Sequence, residues 1–246
     1  MSSQKLHRYG NFSSSEIHRL MSKGRGAWSL ENVGAPFKSY IKEKQIERKL
    51  GRPLHSETNA RPTQWGNFIE PLVIANMGLE AIDSNAYGRL VHPEIKCWTG
   101  VPDYQKPKDS VVGDVKSPWT MLSFCETAEV IMEAYATEDV DVFKEAKKEW
   151  YWQLVSNSIL TGMDRAELTI YVPNLEDLPE IRERVNQYDG DQNKVAFIEY
   201  ASDNELPYMP ENSEYSNVYQ YTFTVPTEDK EALTERVKMA QKILEA

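Results

Sequence analysis

Residues 100–118 read Gly-Val-Pro-Asp-Tyr-Gln-Lys-Pro-Lys-Asp-Ser-Val-Val-Gly-Asp-Val-Lys-Ser-Pro. Asp103 follows Pro102, and ten residues separate it from Asp114, which lies two positions before Lys116. Alternation about Val115 places Asp114 and Lys116 on one face of a strand. The turn-rich segment between the acids lets Asp103 fold back beside them. Two carboxylates and one ammonium then converge. Oxygen ligands of this kind suit hard cations such as Mg2+. A neighbouring lysine can orient or deprotonate a water and offset developing negative charge. The set suits phosphodiester hydrolysis, although the same short pattern also fits a charged hairpin with solvated ends.

Working outward, strands are expected at 89–92, 95–98 and 111–116, punctuated by Gly88, Pro93, Gly100 and Pro107. Before them, Pro62 opens a helix that runs to about residue 77 and stops at Gly78. Glu70 and Gly66 share one face of it, the glycine leaving room for a backbone or a metal. A second helix runs from Pro36 to about Leu50, ended by Gly51 and Pro53, with its charges read mostly as solvated surface. Nearer the N-terminus, Ser13 and Glu16 form the pattern of a capping box, with Phe12 and Ile17 as its staple. Ser15 falls in the first turn of that helix, which breaks at Gly24. A helix N-terminus attracts phosphate. Arg8 lies just upstream and could close over such a site; Lys23 and Arg25 lie near the other end.

After residue 118, helices are expected at about 123–136 and 144–161, the first with Ala128, Ile131, Met132 and Tyr135 at helical spacing. Gln153 stands as a polar residue within an aromatic and apolar run, and needs a partner if buried. Then follow a strand at 166–172, a helix at about 175–187, a strand at 195–200, a loop at 202–217, a strand at 218–225 and a last helix after Thr227. No repeat or linker divides the chain. The expectation is one α/β domain over residues 1–246, a mixed central sheet flanked by helices.

The net charge of −10 conceals an asymmetry: residues 1–61 carry 12 Lys/Arg against 5 Asp/Glu, and the remainder 16 against 33. A basic quarter on an acidic body can confine a polyanion to one groove. It equally fits an ordinary charged surface. Cys97 and Cys125 match no zinc spacing and read as free thiols. No signal peptide and no membrane span is expected, which points to the cytoplasm of a bacterial or phage-infected cell.

In order and spacing, these fragments resemble the phage-type exonucleases of the PD-(D/E)xK superfamily, the lambda exonuclease and YqaJ-like viral recombinase family. The likeness spans roughly residues 8–172 and rests on Arg8-Tyr9-Gly10 with Ser15-Glu16-Ile17-His18, Trp65-Gly66 with Glu70, Pro102-Asp103, Asp114-Val115-Lys116-Ser117-Pro118, and Tyr151-Trp152-Gln153. The resemblance implies a restriction-endonuclease-like fold. It assigns Asp103, Asp114, Glu70 and the Val115 carbonyl to metal, and Lys116 to the water. Gln153 would hold the lysine and nucleophile, and Arg8 and Ser15, with Arg25 less closely matched, would receive the 5′-phosphate. It implies one or two Mg2+ per active site, with Mn2+ as a substitute. The implied substrate is double-stranded DNA ends, degraded 5′→3′ to feed a single-strand annealing protein in recombination. A homo-oligomer, a trimer by analogy, is implied too. An endonuclease of the same fold, or a DNA-binding assembly factor with weakened catalysis, stays open. The chain departs from the family pattern in Tyr104, where glycine is usual, in Asp114 for glutamate, in Ser117 for cysteine and in Val155 for a second glutamine. Residues 173–246 carry no motif of the family and are expected to complete or decorate the core.

Overall fold

The computed structural model describes residues 9–54, 60–82 and 89–246. The chain begins with β1 (Phe12–Ser13) and a 3-10 helix (Ser14–Met21), then α1 (Ala35–Leu50) and α2 (Arg61–Asn76). Four short strands follow: β2 (Glu80–Ala81), β3 (Leu90–Val91), β4 (Trp98–Gly100) and β5 (Tyr104–Lys106). Next come β6 (Val111–Lys116), α3 (Met121–Thr137), α4 (Val140–Ala146), α5 (Lys148–Thr161) and β7 (Arg165–Tyr171). Finally come α6 (Leu178–Arg184), α7 (Gln192–Tyr200), β8 (Val218–Thr224) and α8 (Thr227–Glu245).

The strands form two sheets, β1-β4-β3 and β2-β5-β6-β7-β8. In the larger sheet β6 and β7 run parallel, with Asp114 opposite Leu168, and the other pairs are antiparallel. Both its faces are covered. One packs Val112, Leu168 and Ile170 against Phe124 and Ile131 of α3 and Leu154 and Val155 of α5. The other packs Val115 against Trp65, Ile69 and Val73 of α2, Ile181 of α6 and Val195 and Ile198 of α7. A strand buried on both faces should read as an apolar run. Within β6 only Gly113, Asp114 and Lys116 break that run, and Asp114 is nonetheless 1% exposed. The segment after residue 172 supplies β8 to this sheet, and Leu233, Val237, Ala240 and Leu244 of α8 to the core. Cys97 and Cys125 are free thiols. Among the described residues no helix is long and apolar enough to cross a membrane.

Several expectations are corrected. Residues 195–200 form helix α7, not a strand. Their branched and aromatic residues, Val195, Phe197, Ile198 and Tyr200, suit a strand as well as a buried helix. Asp191 caps the helix by accepting the Asn193 amide at 3.1 Å, and Val195 and Ile198, one turn apart, both face the core. The N-terminal helix is a 3-10 helix without the expected cap. Ser13 belongs to β1, its amide donates to the Tyr40 hydroxyl at 3.0 Å, and its side chain makes no cap hydrogen bond. Phe12 and Ile17 are both fully buried. The helix stops at Met21, where the Ser22 hydroxyl bonds the Arg19 carbonyl at 2.8 Å, before Gly24 is reached.

Helix α1 is less solvated than its charges suggest. Lys44 and Glu47 are buried and paired at 2.9 Å, and Glu47 also accepts the Gly10 amide at 2.7 Å. The strand expected at 95–98 starts only at Trp98, because His92 Nδ1 accepts the amides of Glu94 and Ile95 and holds a turn there. The helix expected over 144–161 is two helices, broken at Lys147, whose ψ of 51° is not helical. In α3, Ala128 and Ile131 are buried, whereas Met132 and Tyr135 are 44% and 50% exposed.

Candidate active site

Asp103 lies between β4 and β5. Its amide donates to the Gly113 carbonyl at 3.2 Å, and its Oδ2 accepts the Val115 amide at 2.7 Å. It therefore grips β6 on both sides of Asp114. Asp114 Oδ1 accepts Gln153 Nε2 of α5 at 2.5 Å. Its Oδ2 lies against Lys116 Nζ, forms no well-aligned hydrogen bond and is buried. Asp114 and Lys116 thus share one strand face, as the alternation predicts. Helix α2 packs on β6 and carries Glu70 into electrostatic range of Asp114 and Asp103. Gly66, one turn earlier, faces open space: a side chain there would meet nothing within 4 Å.

Burial, then Asp114 and Glu70, push the Asp103 carboxyl well above the usual carboxylate range, with Lys116 and the Val115 amide pulling the other way. Burial and Asp114 raise Glu70 to about 7, opposed by Lys116. Burial alone would lower Lys116; Asp114 and Asp103, with help from Glu70, outweigh it and hold the ammonium above its ordinary value. Three carboxylates facing one ammonium leave an excess of two negative charges when all are ionised. That excess, with Asp114 Oδ2 held by the Lys116 ion pair alone, fits a divalent cation. Among the described residues no three His, Cys, Asp or Glu side chains converge tightly enough to cage an ion unaided. Mg2+ does not require such a cage, since one or two carboxylates completed by water and substrate phosphate suffice.

The N-terminal segment is fastened to the helix that carries Gln153. Ser14 Oγ lies 2.9 Å from Ser156 Oγ of α5, which also accepts Trp98 Nε1 at 2.8 Å. Close approach is possible because residue 100 lacks a side chain. A Cβ there would lie 2.2 Å from Ser14 Oγ and 2.6 Å from Leu160. Ser15, the next residue, is exposed in the first turn of the 3-10 helix, its Oγ 3.2 Å from Ser13 Oγ. Arg8 lies outside the described residues. Arg25 is exposed between the 3-10 helix and α1, and among the described residues no hydrogen bond or ion pair ties its side chain to the acids.

The sequence reading missed a buried group under the acids. Tyr104 is fully buried and donates its hydroxyl to Glu167 at 2.6 Å, with Thr169 Oγ1 at 2.8 Å. Glu167 also accepts Lys106 Nζ at 2.5 Å and Gln220 Nε2 at 3.1 Å. The lone glycine inside β6 was the available signal, because a strand-interior glycine often marks close approach of another group.

With this geometry the chain can be set beside known structures. It has the fold of the phage-type and alkaline exonucleases. An alkaline exonuclease from Laribacter hongkongensis, LHK-Exo, is 15% identical over 97% of this chain and 89% of that one, with a TM-score of 0.57. LHK-Exo in complex with dAMP matches at 16% identity, over the same shares and with the same TM-score. A phage-related exonuclease from Haemophilus somnus 129PT is 18% identical over 95% and 93% of the two chains, with a TM-score of 0.59. No family model and no curated protein matches the chain.

Proposed function

We propose that this chain is a metal-dependent DNA exonuclease, hydrolysing one strand of linear double-stranded DNA from its 5′ end. The observation that carries the reading is the meeting of Asp103, Asp114, Glu70, Lys116 and Gln153 at one end of β6. The fold agrees, and LHK-Exo, which shares it, binds a deoxynucleoside monophosphate, the class of product such a reaction releases.

Asp103, Asp114, Glu70 and the Val115 carbonyl would hold one or two Mg2+ ions, with Mn2+ able to substitute. Bound there, the metal supplies Lewis-acid neutralisation of the scissile phosphate and eases ionisation of the attacking water. Against burial, Asp114 and Asp103 hold the Lys116 ammonium above its ordinary value, and the lysine would orient or activate the attacking water and offset developing charge. Gln153 holds Asp114 in one rotamer. Ser15, with Arg8 and less directly Arg25, receives the terminal 5′-phosphate. The basic N-terminal quarter would lie along the DNA, and the acidic remainder would exclude it elsewhere. The chain would act as a homo-oligomer, a trimer in the phage-type arrangement, and pass single strands to an annealing protein in recombination.

The test is degradation of linear duplexes carrying 5′-phosphate or 5′-hydroxyl ends, with closed circles alongside, in Mg2+, Mn2+ or chelator. Mononucleotides released from 5′-phosphorylated ends are expected. Equal cleavage of closed circles would convert the reading to an endonuclease. DNA binding without cleavage in either metal would leave a binding or assembly factor.

A further inference from the structure

Tyr104 replaces the glycine usual after Pro-Asp, and the structure shows what accompanies the replacement. The tyrosine ring fills the space where a side chain at residue 113 would stand: a Cβ on Gly113 would fall 1.9 Å from the ring's Cζ. Tyr104 and Gly113 are directly opposed across the β5–β6 pair. The ring lies on the face of β6 away from Asp114, where Gly113 and Val115 are opposite Glu167 and Thr169 of β7. There its hydroxyl is held by Glu167, itself anchored by Lys106 and Gln220. The residue before it, Asp103, has its amide on Gly113 and its carboxylate on the Val115 amide.

We propose that Tyr104 is a positioning residue for Asp103, acting through its fit over Gly113 and its anchor on Glu167. With the tyrosine fixed at both ring and hydroxyl, the preceding Cα is fixed too, and the carboxylate is aimed along β6. The bulky residue and the strand glycine then function as one unit, each requiring the other. The inference rests on the proposed metal site for its Mg2+ readout and on the nuclease reading for its activity readout.

The test compares wild type, Tyr104→Phe, Gly113→Ala and the double variant Tyr104→Ala/Gly113→Ala. Each is followed by thermal unfolding, Mg2+ binding by calorimetry, and steady-state rates on 5′-phosphorylated duplex. Tyr104→Phe keeps the ring on Gly113 and loses the Glu167 bond. We expect kcat about tenfold lower, equivalent to roughly 1.4 kcal/mol, and Mg2+ binding weaker by a similar factor, with KM for DNA unchanged. Gly113→Ala should be strongly destabilised, and the double variant should regain stability relative to it, because the ring that collides is gone. A Tyr104→Phe protein that loses melting temperature but keeps wild-type Mg2+ affinity and kcat would overturn the proposal. So would a Gly113→Ala protein as stable as wild type. If wild type binds Mg2+ without cleaving DNA, weakened Mg2+ binding in Tyr104→Phe supports the positioning role while the nuclease reading fails.

Discussion

Gln153 on α5 donates to Asp114 on β6 at 2.5 Å, linking the helix that anchors the N-terminal segment to the strand that carries the acids. A hydrogen bond to a charged group is worth about 1.5–3 kcal/mol. Gln153→Ala should therefore lower kcat by roughly 10- to 100-fold, with KM for DNA little changed. Gln153→Glu should be slower still, since it adds a fourth carboxylate where three already crowd. Initial rates on 5′-phosphorylated duplex check both. Wild-type turnover in Gln153→Ala would remove the glutamine from the active site.

The crowding of carboxylates also makes a prediction about stability. Asp103→Asn keeps an oxygen that can accept the Val115 amide and removes one of three mutually repelling charges. In chelator this variant should melt higher than wild type by a few degrees, at roughly 2–4 °C per kcal/mol for a chain of this size, while losing cleavage. Mg2+ at about ten times its dissociation constant should raise the wild-type stability by ~1.4 kcal/mol and leave Asp103→Asn nearly unmoved. Differential scanning fluorimetry with and without Mg2+ reads both effects, and a variant that melts lower in chelator contradicts the prediction.

Glu47 governs an acid-sensitive contact. Burial alone would raise its carboxyl, but the Gly10 amide, Lys44 and the Leu54 amide outweigh burial and hold it below the ordinary value. A depressed folded-state pKa stabilises the protein above the unfolded value, roughly 4.3 for glutamate, and that contribution disappears as pH falls through the folded value. Glu47→Gln should lower neutral-pH stability by about 1.5–3 kcal/mol and flatten the part of the acid limb that lies below about pH 4.3, the unfolded value. Urea unfolding at a series of pH values measures the difference. Parallel limbs in the two proteins would refute it.

Ser15→Ala tests the direction of attack. If Ser15 receives the terminal phosphate, its loss should reduce the preference for 5′-phosphate over 5′-hydroxyl ends by about tenfold, the equivalent of ~1.4 kcal/mol. Rates on 5′-hydroxyl ends should barely change. An unaltered preference would move phosphate recognition elsewhere.

Much of this site was legible from short-range rules. Asp114 and Lys116 share a face because strand periodicity is two, and the turn-forming residues between Pro102 and Val111 allow Asp103 to return beside them. Proline starts and glycine stops placed α1 and α2 to within a residue or two. Residues 195–200 defeated the same reasoning because a stretch of branched and aromatic side chains suits either a strand or a buried helix. The Asp191 cap and the packing of Val195 and Ile198 decided between them.

For residues 100–118, the sequence by itself determined which chemical groups could meet: two acids and a lysine, at spacings that local geometry converts into proximity. Only the tertiary structure decided what holds them there. Gln153 reaches Asp114 from 39 residues away, and Tyr104 finds its Glu167 anchor across 63. Such contacts depend on how helices and strands stack. The pairing of Tyr104 with Gly113 shows the reason most directly: the glycine marks a close approach without naming what approaches, and the fit exists only once β5 lies against β6.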